Sequence, residues 1–181
     1  LVEQIADPDA RRNLEISLQA SLIGPYTATS GATYEKVLTC CQRGLLLCRE
    51  GPPNPLVFAF LFGQFTHSIC RANMALAGTS ADLFLSAATK ANYDSGKVIG
   101  HRLAGMVLAG RGKLDEAIAA LRTSLDLYVP ERDEAATHVF GQNAQVHSSS
   151  LLSFALIHAG RIEEALRVGS ATLASIDELK H

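Results

Sequence analysis

Two stretches of the chain repeat one pattern: HRLAGMVLAGRGKLDEAIAAL at residues 101–121 and SSLLSFALIHAGRIEEALRV at residues 149–168. Each has the apolar spacing of a helix, then a turn of small residues, then a second helix that opens with an acidic pair. The turns and second helices correspond at an offset of 48 residues, with Gly112, Lys113, Leu114, Asp115, Glu116 and Ala117 matching Gly160, Arg161, Ile162, Glu163, Glu164 and Ala165. The chain therefore contains at least two copies of a helical hairpin.

The spacing of these hairpins indicates the kind of repeat. We expect Gly78 to end the third helix, one hairpin before the turn at Gly112. The separation of these two glycines equals the helix–turn–helix period of about 34 residues that is typical of tetratricopeptide repeats. One such period plus an extra loop at residues 129–143 accounts for the offset between the two copies. Small residues stand where the two helices of a hairpin cross: Gly105 and Ala117 in the third unit, Ser153 and Ala165 in the fourth.

We therefore predict an all-α fold, a right-handed α-α superhelix of about four tetratricopeptide-like hairpins. An ordinary helical bundle with two similar hairpins is the alternative. Eight helices are expected in a single domain, and because the chain starts at Leu1 rather than Met we expect it to be a fragment of a larger protein. The domain spans residues 1–181, with units at about 7–50, 54–92, 94–128 and 144–178 and a polar loop at 129–143.

Capping residues and apolar content predict details of these helices. Asp7 is a good N-cap with Pro8 at the first helical position, and we expect that helix to end near Gly24, where Pro25 follows. The third helix, through residues 56–65, is apolar around most of its circumference, so it should be the central, buried one.

Composition excludes several classes of protein. Hydrophobic residues make up 48% of the chain and charged residues 19%, so it is not disordered. With 16 Lys and Arg against 18 Asp and Glu, the net charge of −2 gives no reason to expect direct nucleic-acid binding. There is no run of 18 apolar residues, so no membrane span is expected. The four cysteines form no CxxC pair and are expected to be buried thiols in a reducing cytoplasm: Cys40, Cys41, Cys48 and Cys70.

The motifs of common enzymes are missing from the sequence. It has no GxSxG, no HExxH and no phosphate-binding loop, since Gly110–Lys113 is followed by Leu114 rather than Ser or Thr. His147 and His158 share a predicted helix but stand about 16 Å apart, too far to chelate one ion. The acidic pairs lie in first helical turns, where negative charge favours the helix dipole. We expect no catalytic residue, no metal and no cofactor, and therefore no enzyme.

The third and fourth units resemble one bacterial family in three elements. The first element is a helix that reads His101-Arg102 followed by small residues. The second is the end of the next helix, which reads Leu-Tyr-Val-Pro-Glu-Arg at residues 127–132. The third element is Phe140-Gly141-Gln142-Asn143, in which Asn143 replaces the Asp of the family. At this spacing they resemble the C-terminal tetratricopeptide-like array of large multidomain signalling proteins. Those proteins carry an N-terminal adenylate/guanylate cyclase or winged-helix DNA-binding domain and a central ATPase domain.

The resemblance implies a regulatory or scaffolding segment of a cytoplasmic signalling or transcription-regulatory protein. Our first hypothesis is that a concave groove binds a protein or peptide, such as another domain of the parent chain. We expect five residues to face it: Arg102, Met106, His147, Ser150 and Phe154.

Two other functions remain open. One is self-association as a homodimer, with the apolar stretch at residues 56–65 partly covered by a second copy. The other is a small-ligand sensor, since longer loops are more often functional than short connections. The candidate residues of that loop are His138, Phe140, Gln142 and Asn143.

Overall fold

The computed structural model describes residues 5–178, and these form nine α-helices and no strand, so the fold is all-α as predicted. No helix in this range has both the length and the apolar character that crossing a membrane requires. In chain order the helices are α1 Pro8–Ser30, α2 Glu35–Arg49, α3 Val57–Cys70, α4 Met74–Lys90, α5 Asp94–Gly110, α6 Leu114–Leu127, α7 Pro130–Phe140, α8 Ala144–His158 and α9 Ile162–Glu178.

The chain divides into two compact units, Leu1–Ser80 and Ala81–His181, with the boundary inside α4. In the first unit α3 is buried, as predicted, and the Phe60 ring is fully buried against Gly44 of α2. Residues 56–65 are all buried or half-buried. Some of these residues are only half-buried, so partial cover of this stretch by a second copy stays a prediction. The single-domain organisation of the four predicted units stays a prediction.

Three predicted helix starts are confirmed. Asp7 caps α1, and its carboxylate accepts a hydrogen bond from the Asp9 N–H at 3.0 Å. Asp115–Glu116 and Glu163–Glu164 lie in the first turns of α6 and α9. Negative charge is favourable there because the free N–H groups of a helix start are partly positive.

Helix α1 continues beyond its predicted end at Gly24 and Pro25, so that prediction is wrong. A proline inside a helix removes one backbone donor, which packing elsewhere can outweigh. Beyond Pro25 the Tyr26 ring meets the Tyr34 ring edge to face, with centroids 5.6 Å apart. The helix ends instead at Ser30 and is capped by Gly31, whose φ of 85° suits glycine.

The turn between α3 and α4 lies at Ala72, and Gly78 is buried inside α4. The predicted helix end at Gly78 is therefore wrong, and so is the repeat period counted from it. Ala72 has a φ of 56°, Asn92 of 49° and Gly112 of 74°, so each occupies the left-handed conformation at a turn. These three turns are evenly spaced along the chain. One full repeat of two helices therefore extends from Ala72 to Gly112, which is longer than the predicted period.

The two hairpins of the second unit, α5–α6 and α8–α9, cross at the small residues predicted. A Cβ added to Gly105 would lie 3.3 Å from the Ala117 carbonyl oxygen and 2.6 Å from Leu121 Cγ. In the next hairpin the Ser153 hydroxyl donates to the Ala165 carbonyl at 2.9 Å. The hairpins therefore correspond in their contacts as well as in sequence.

The segment predicted as a loop at residues 129–143 contains the helix α7, so that prediction is wrong. Pro130 stands at the first helical position and Gly141 ends the helix at a φ of 69°. The helix has no continuous apolar stripe, which is why periodicity does not reveal it. Its two buried apolar side chains, Ala136 and Phe140, are four residues apart.

We expect Gly105→Ala to lower the free energy of unfolding by about 1–2 kcal/mol, because overpacking against Leu121 outweighs the better helix propensity of alanine. Gly169→Ala in α9 is the matched control, since its added Cβ would meet only Ser153 Oγ at 3.5 Å. That variant should gain up to about 1 kcal/mol. Urea unfolding followed by circular dichroism measures both, and equal effects would contradict the close crossing at Gly105.

Candidate functional site

An apolar groove with a volume of about 610 Å³ lies between α8 and α9. None of its described lining residues is charged. Large apolar side chains stand open to solvent along it, with Leu166 and Leu173 each 66% exposed. We call this surface the α8–α9 groove, and its main apolar members are Ile157, Ile162, Leu166, Leu173 and Ile176.

The equivalent surface of the preceding hairpin is covered. At the offset of 48 residues Leu166 corresponds to Ile118, which is only 2% exposed. The cover is α8, which packs on α6 and contributes Leu152 and Leu156 to one cluster with Ile118. The same position in the repeat is thus buried in one hairpin and open in the next, because no described helix lies on the second.

The α8–α9 groove is concave because a large side chain is missing from α9. Gly169 stands where α6 has Leu121, and an added Cβ there would meet only the Ser153 hydroxyl at 3.5 Å. In α5–α6 the sizes are reversed, with Gly105 opposite the fully buried Leu121. The exchange of large and small residues keeps the crossing close and leaves space at the surface of α9.

The five residues predicted to face a concave groove lie in different surroundings. Arg102 is 1% exposed, so the prediction that it offers its side chain to a partner is wrong. Met106 and His147 are half-buried. Ser150 is exposed and lines the α8–α9 groove, and Phe154 is 51% exposed on the same helix.

Arg102 affects the protonation of His147 inside the second unit. Burial lowers the pKa of Arg102 to about 10, still high enough to keep it charged at pH 7. Burial, and then the positive charge of Arg102, lower the pKa of His147. The imidazole is therefore neutral at pH 7. Both side chains contribute to the interior of the unit rather than to an open surface.

The four loop candidates lie at the end of α7 and the start of α8. Phe140 is buried, with its ring 5.9 Å from that of Phe84 and edge to face. Asn143 is the N-cap of α8, accepting a hydrogen bond from the Val146 N–H at 3.0 Å. His138 and Gln142 are exposed. Two of the four thus have structural contacts, and the other two are exposed.

Asp133 anchors α7 to α5 through a buried carboxylate that is 1% exposed. The carboxylate accepts hydrogen bonds from the Ser95 hydroxyl at 2.5 Å, the Val129 N–H at 2.8 Å and Arg132 Nε at 2.9 Å. Burial alone would raise the pKa of Asp133, but the hydrogen bonds from Arg132, Ser95 and Val129 outweigh it and the pKa is lowered.

The described residues show no obvious reactive centre. No three of their His, Cys, Asp and Glu side chains lie close enough together to hold a metal ion. The four cysteines are free thiols, and burial raises the pKa of Cys41 to about 12, which makes it unreactive. Cys40 is also buried, but Cys70 is exposed, so the prediction of burial is wrong for Cys70.

Sequence reasoning missed the residues of the α8–α9 groove apart from Ser150. The signal that could have found them is the repeat offset itself, which pairs Leu166 and Leu173 with Ile118 and Leu125. The prediction assumed that a groove would form on the first helices of the hairpins. The open apolar surface instead includes the second helix of the last described hairpin.

Comparison with known proteins gives no identification. No family model matches the chain, and no curated protein or solved structure matches it significantly.

We expect Asp133→Asn to lower the free energy of unfolding by about 1–3 kcal/mol at pH 7, because its buried hydrogen-bond donors lose a charged acceptor. A lowered folded pKa means that this stabilisation is present above the ordinary Asp pKa of about 3.9 and is lost as the pH falls through the folded pKa. The difference in the free energy of unfolding between wild type and variant should therefore become smaller as the pH falls below about 5.

Urea unfolding at a series of pH values measures this difference. The control is Asp126→Asn on α6, which removes an exposed carboxylate. It should leave stability nearly unchanged at every pH. A difference for Asp133→Asn that stays constant down to acid pH would show that the charge of the carboxylate does not hold α7.

Proposed function

We propose that this chain is a non-catalytic protein-interaction module that holds an amphipathic helix of a partner protein in the α8–α9 groove. One observation carries the proposal: Leu166 is 66% exposed, whereas its equivalent Ile118 is 2% exposed beneath α8. Contiguous exposed apolar surface of this kind commonly marks an interaction site. A helix laid in an apolar groove is one of the recurring modes of peptide recognition.

The way α8 covers α6 indicates the chemistry of the ligand. Helix α8 places Leu152, Ala155 and Leu156 in the cluster with α6. Ser148 adds a small polar contact on the same face, its hydroxyl 2.9 Å from that of Ser124. In the groove, Thr172 takes the place of Ser124. The ligand that fits is therefore a helix with aliphatic residues four apart and small residues beside them.

The groove suits a scaffold better than a catalyst. Its described lining has hydroxyls and aliphatic side chains but no charged group, so no acid, base or metal-binding carboxylate lines it.

We include in the proposal that the hairpins stack in a right-handed, tetratricopeptide-like superhelix. The sequence resemblance supports a place in a cytoplasmic bacterial signalling or transcription-regulatory protein. The partner would then be another protein or another domain of the parent chain.

The test uses a peptide with the sequence of Ala144–His158, the helix that covers the equivalent surface. A free peptide of this length is marginally helical in water, so positions 150 and 154, which face away from Leu152, carry a cross-link. Titration of the labelled peptide with the chain, followed by fluorescence anisotropy, measures binding. We expect saturable binding with micromolar affinity.

Leu166→Lys should weaken this binding about tenfold or more, because it removes a large apolar contact from the groove. Val139→Lys on α7 is the matched control, since Val139 is 68% exposed and lies outside the groove. Both variants change an exposed residue, so thermal unfolding should show little loss of stability in either. Equal binding by the two variants, or no binding by the wild type, would overturn the proposal.

A further inference from the structure

We propose that the helix held in the α8–α9 groove is α1 of a second copy of this chain, so that copies associate head to tail. The inference rests on the proposed function, because it uses the same groove. Helix α1 buries Ile16, which is 2% exposed, while leucines on another face are left open. Leu14 and Leu18 are each 42% exposed and Leu22 is 37% exposed.

The exposed residues of α1 follow the pattern of α8. We call them the α1 stripe: Leu14, Leu18, Ser21 and Leu22. They have the spacing i, i+4, i+7 and i+8, which places them on one side of a helix. The residues of α8 that are buried on its covering face have the same spacing: Ser148, Leu152, Ala155 and Leu156. The α1 stripe therefore matches α8 at the last three of these positions, with two leucines and a small residue, and it has Leu14 where α8 has Ser148.

Two carboxylates beside these surfaces are already paired. Glu15, next to the α1 stripe, accepts two hydrogen bonds from Arg43 of α2, at 2.6 and 2.9 Å. Glu164, next to the groove, pairs with Arg122 and with Arg161. Neither the stripe nor the described groove lining contains a charged residue. Docking α1 in the groove therefore buries apolar side chains while Glu15 and Glu164 keep their own partners, and leaving either carboxylate buried and unpaired would be costly.

The contact joins two different surfaces, so it is heterologous. A heterologous contact produces open chains or rings, or a dimer when two copies exchange α1 reciprocally. One helix against a hairpin is a small interface of the size found in transient complexes. We therefore expect association in the micromolar range of concentration.

Multi-angle light scattering over a range of about 1–500 μM, which spans the expected dissociation constant, measures the mass of the full chain. The α1 variant carries Leu18→Lys and Leu22→Lys, and the groove variant carries Leu166→Lys and Leu173→Lys. We expect the mass of the wild type to rise to that of a dimer or more, and each variant alone to stay monomeric. The equimolar mixture should form a 1:1 dimer and nothing larger, because it has one intact stripe and one intact groove.

The remaining outcomes overturn the inference in different ways. A groove variant that still associates alone would indicate contact between two α1 stripes, and an α1 variant that does so would indicate contact between two grooves. A wild type that stays monomeric while the cross-linked peptide still binds would leave the proposed function standing and reject α1 as the ligand. If neither the peptide nor a second copy binds, both proposals are wrong. Val139→Lys is again the control and should associate like the wild type.

Discussion

The close crossing of two helices within a hairpin is the constraint on which the second unit depends. A helix can approach the backbone of its neighbour this closely only where one side chain is small. In α5–α6 that residue is Gly105, which lies beside the Ala117 carbonyl. In α8–α9 it is Ser153, whose hydroxyl donates to the Ala165 carbonyl. Both solutions keep the crossing close, and they differ in how much room they leave for the next side chain along the second helix.

That difference links the packing of the hairpins to the candidate function. With glycine at position 105, α6 carries Leu121, which fills the space and is fully buried. With serine at position 153, α9 carries Gly169 and the surface beside it stays hollow. The groove is thus a consequence of core packing. Its aliphatic residues occupy repeat positions that, in the α5–α6 hairpin, are covered by α8.

Much of the architecture could be predicted from periodicity and capping, but the turns could not. Glycine and proline were the markers for helix ends, yet Gly24 and Gly78 lie within helices while Ala72 and Asn92 take the left-handed conformation at turns. Propensity is weak compared with tertiary packing, so a residue type alone does not decide where a helix stops. The residues that would face a groove were harder to predict, because residue type does not decide whether a side chain is exposed. Arg102 is charged, as surface residues often are, yet it is only 1% exposed.

The segment that forms helix α7 was predicted as a loop, although the sequence motifs at its two ends were recognised. The two motifs around residues 127–132 and 140–143 mark the two ends of this helix, with Pro130 at its start and Gly141 at its end. Asn143 then caps α8, the helix that covers α6 with one face and lines the open groove with another. Helix α8 covers α6, whereas the α8–α9 hairpin has the same kind of apolar surface with no described helix on it. The proposed partner helix would therefore take, on α9, the place that α8 takes on α6.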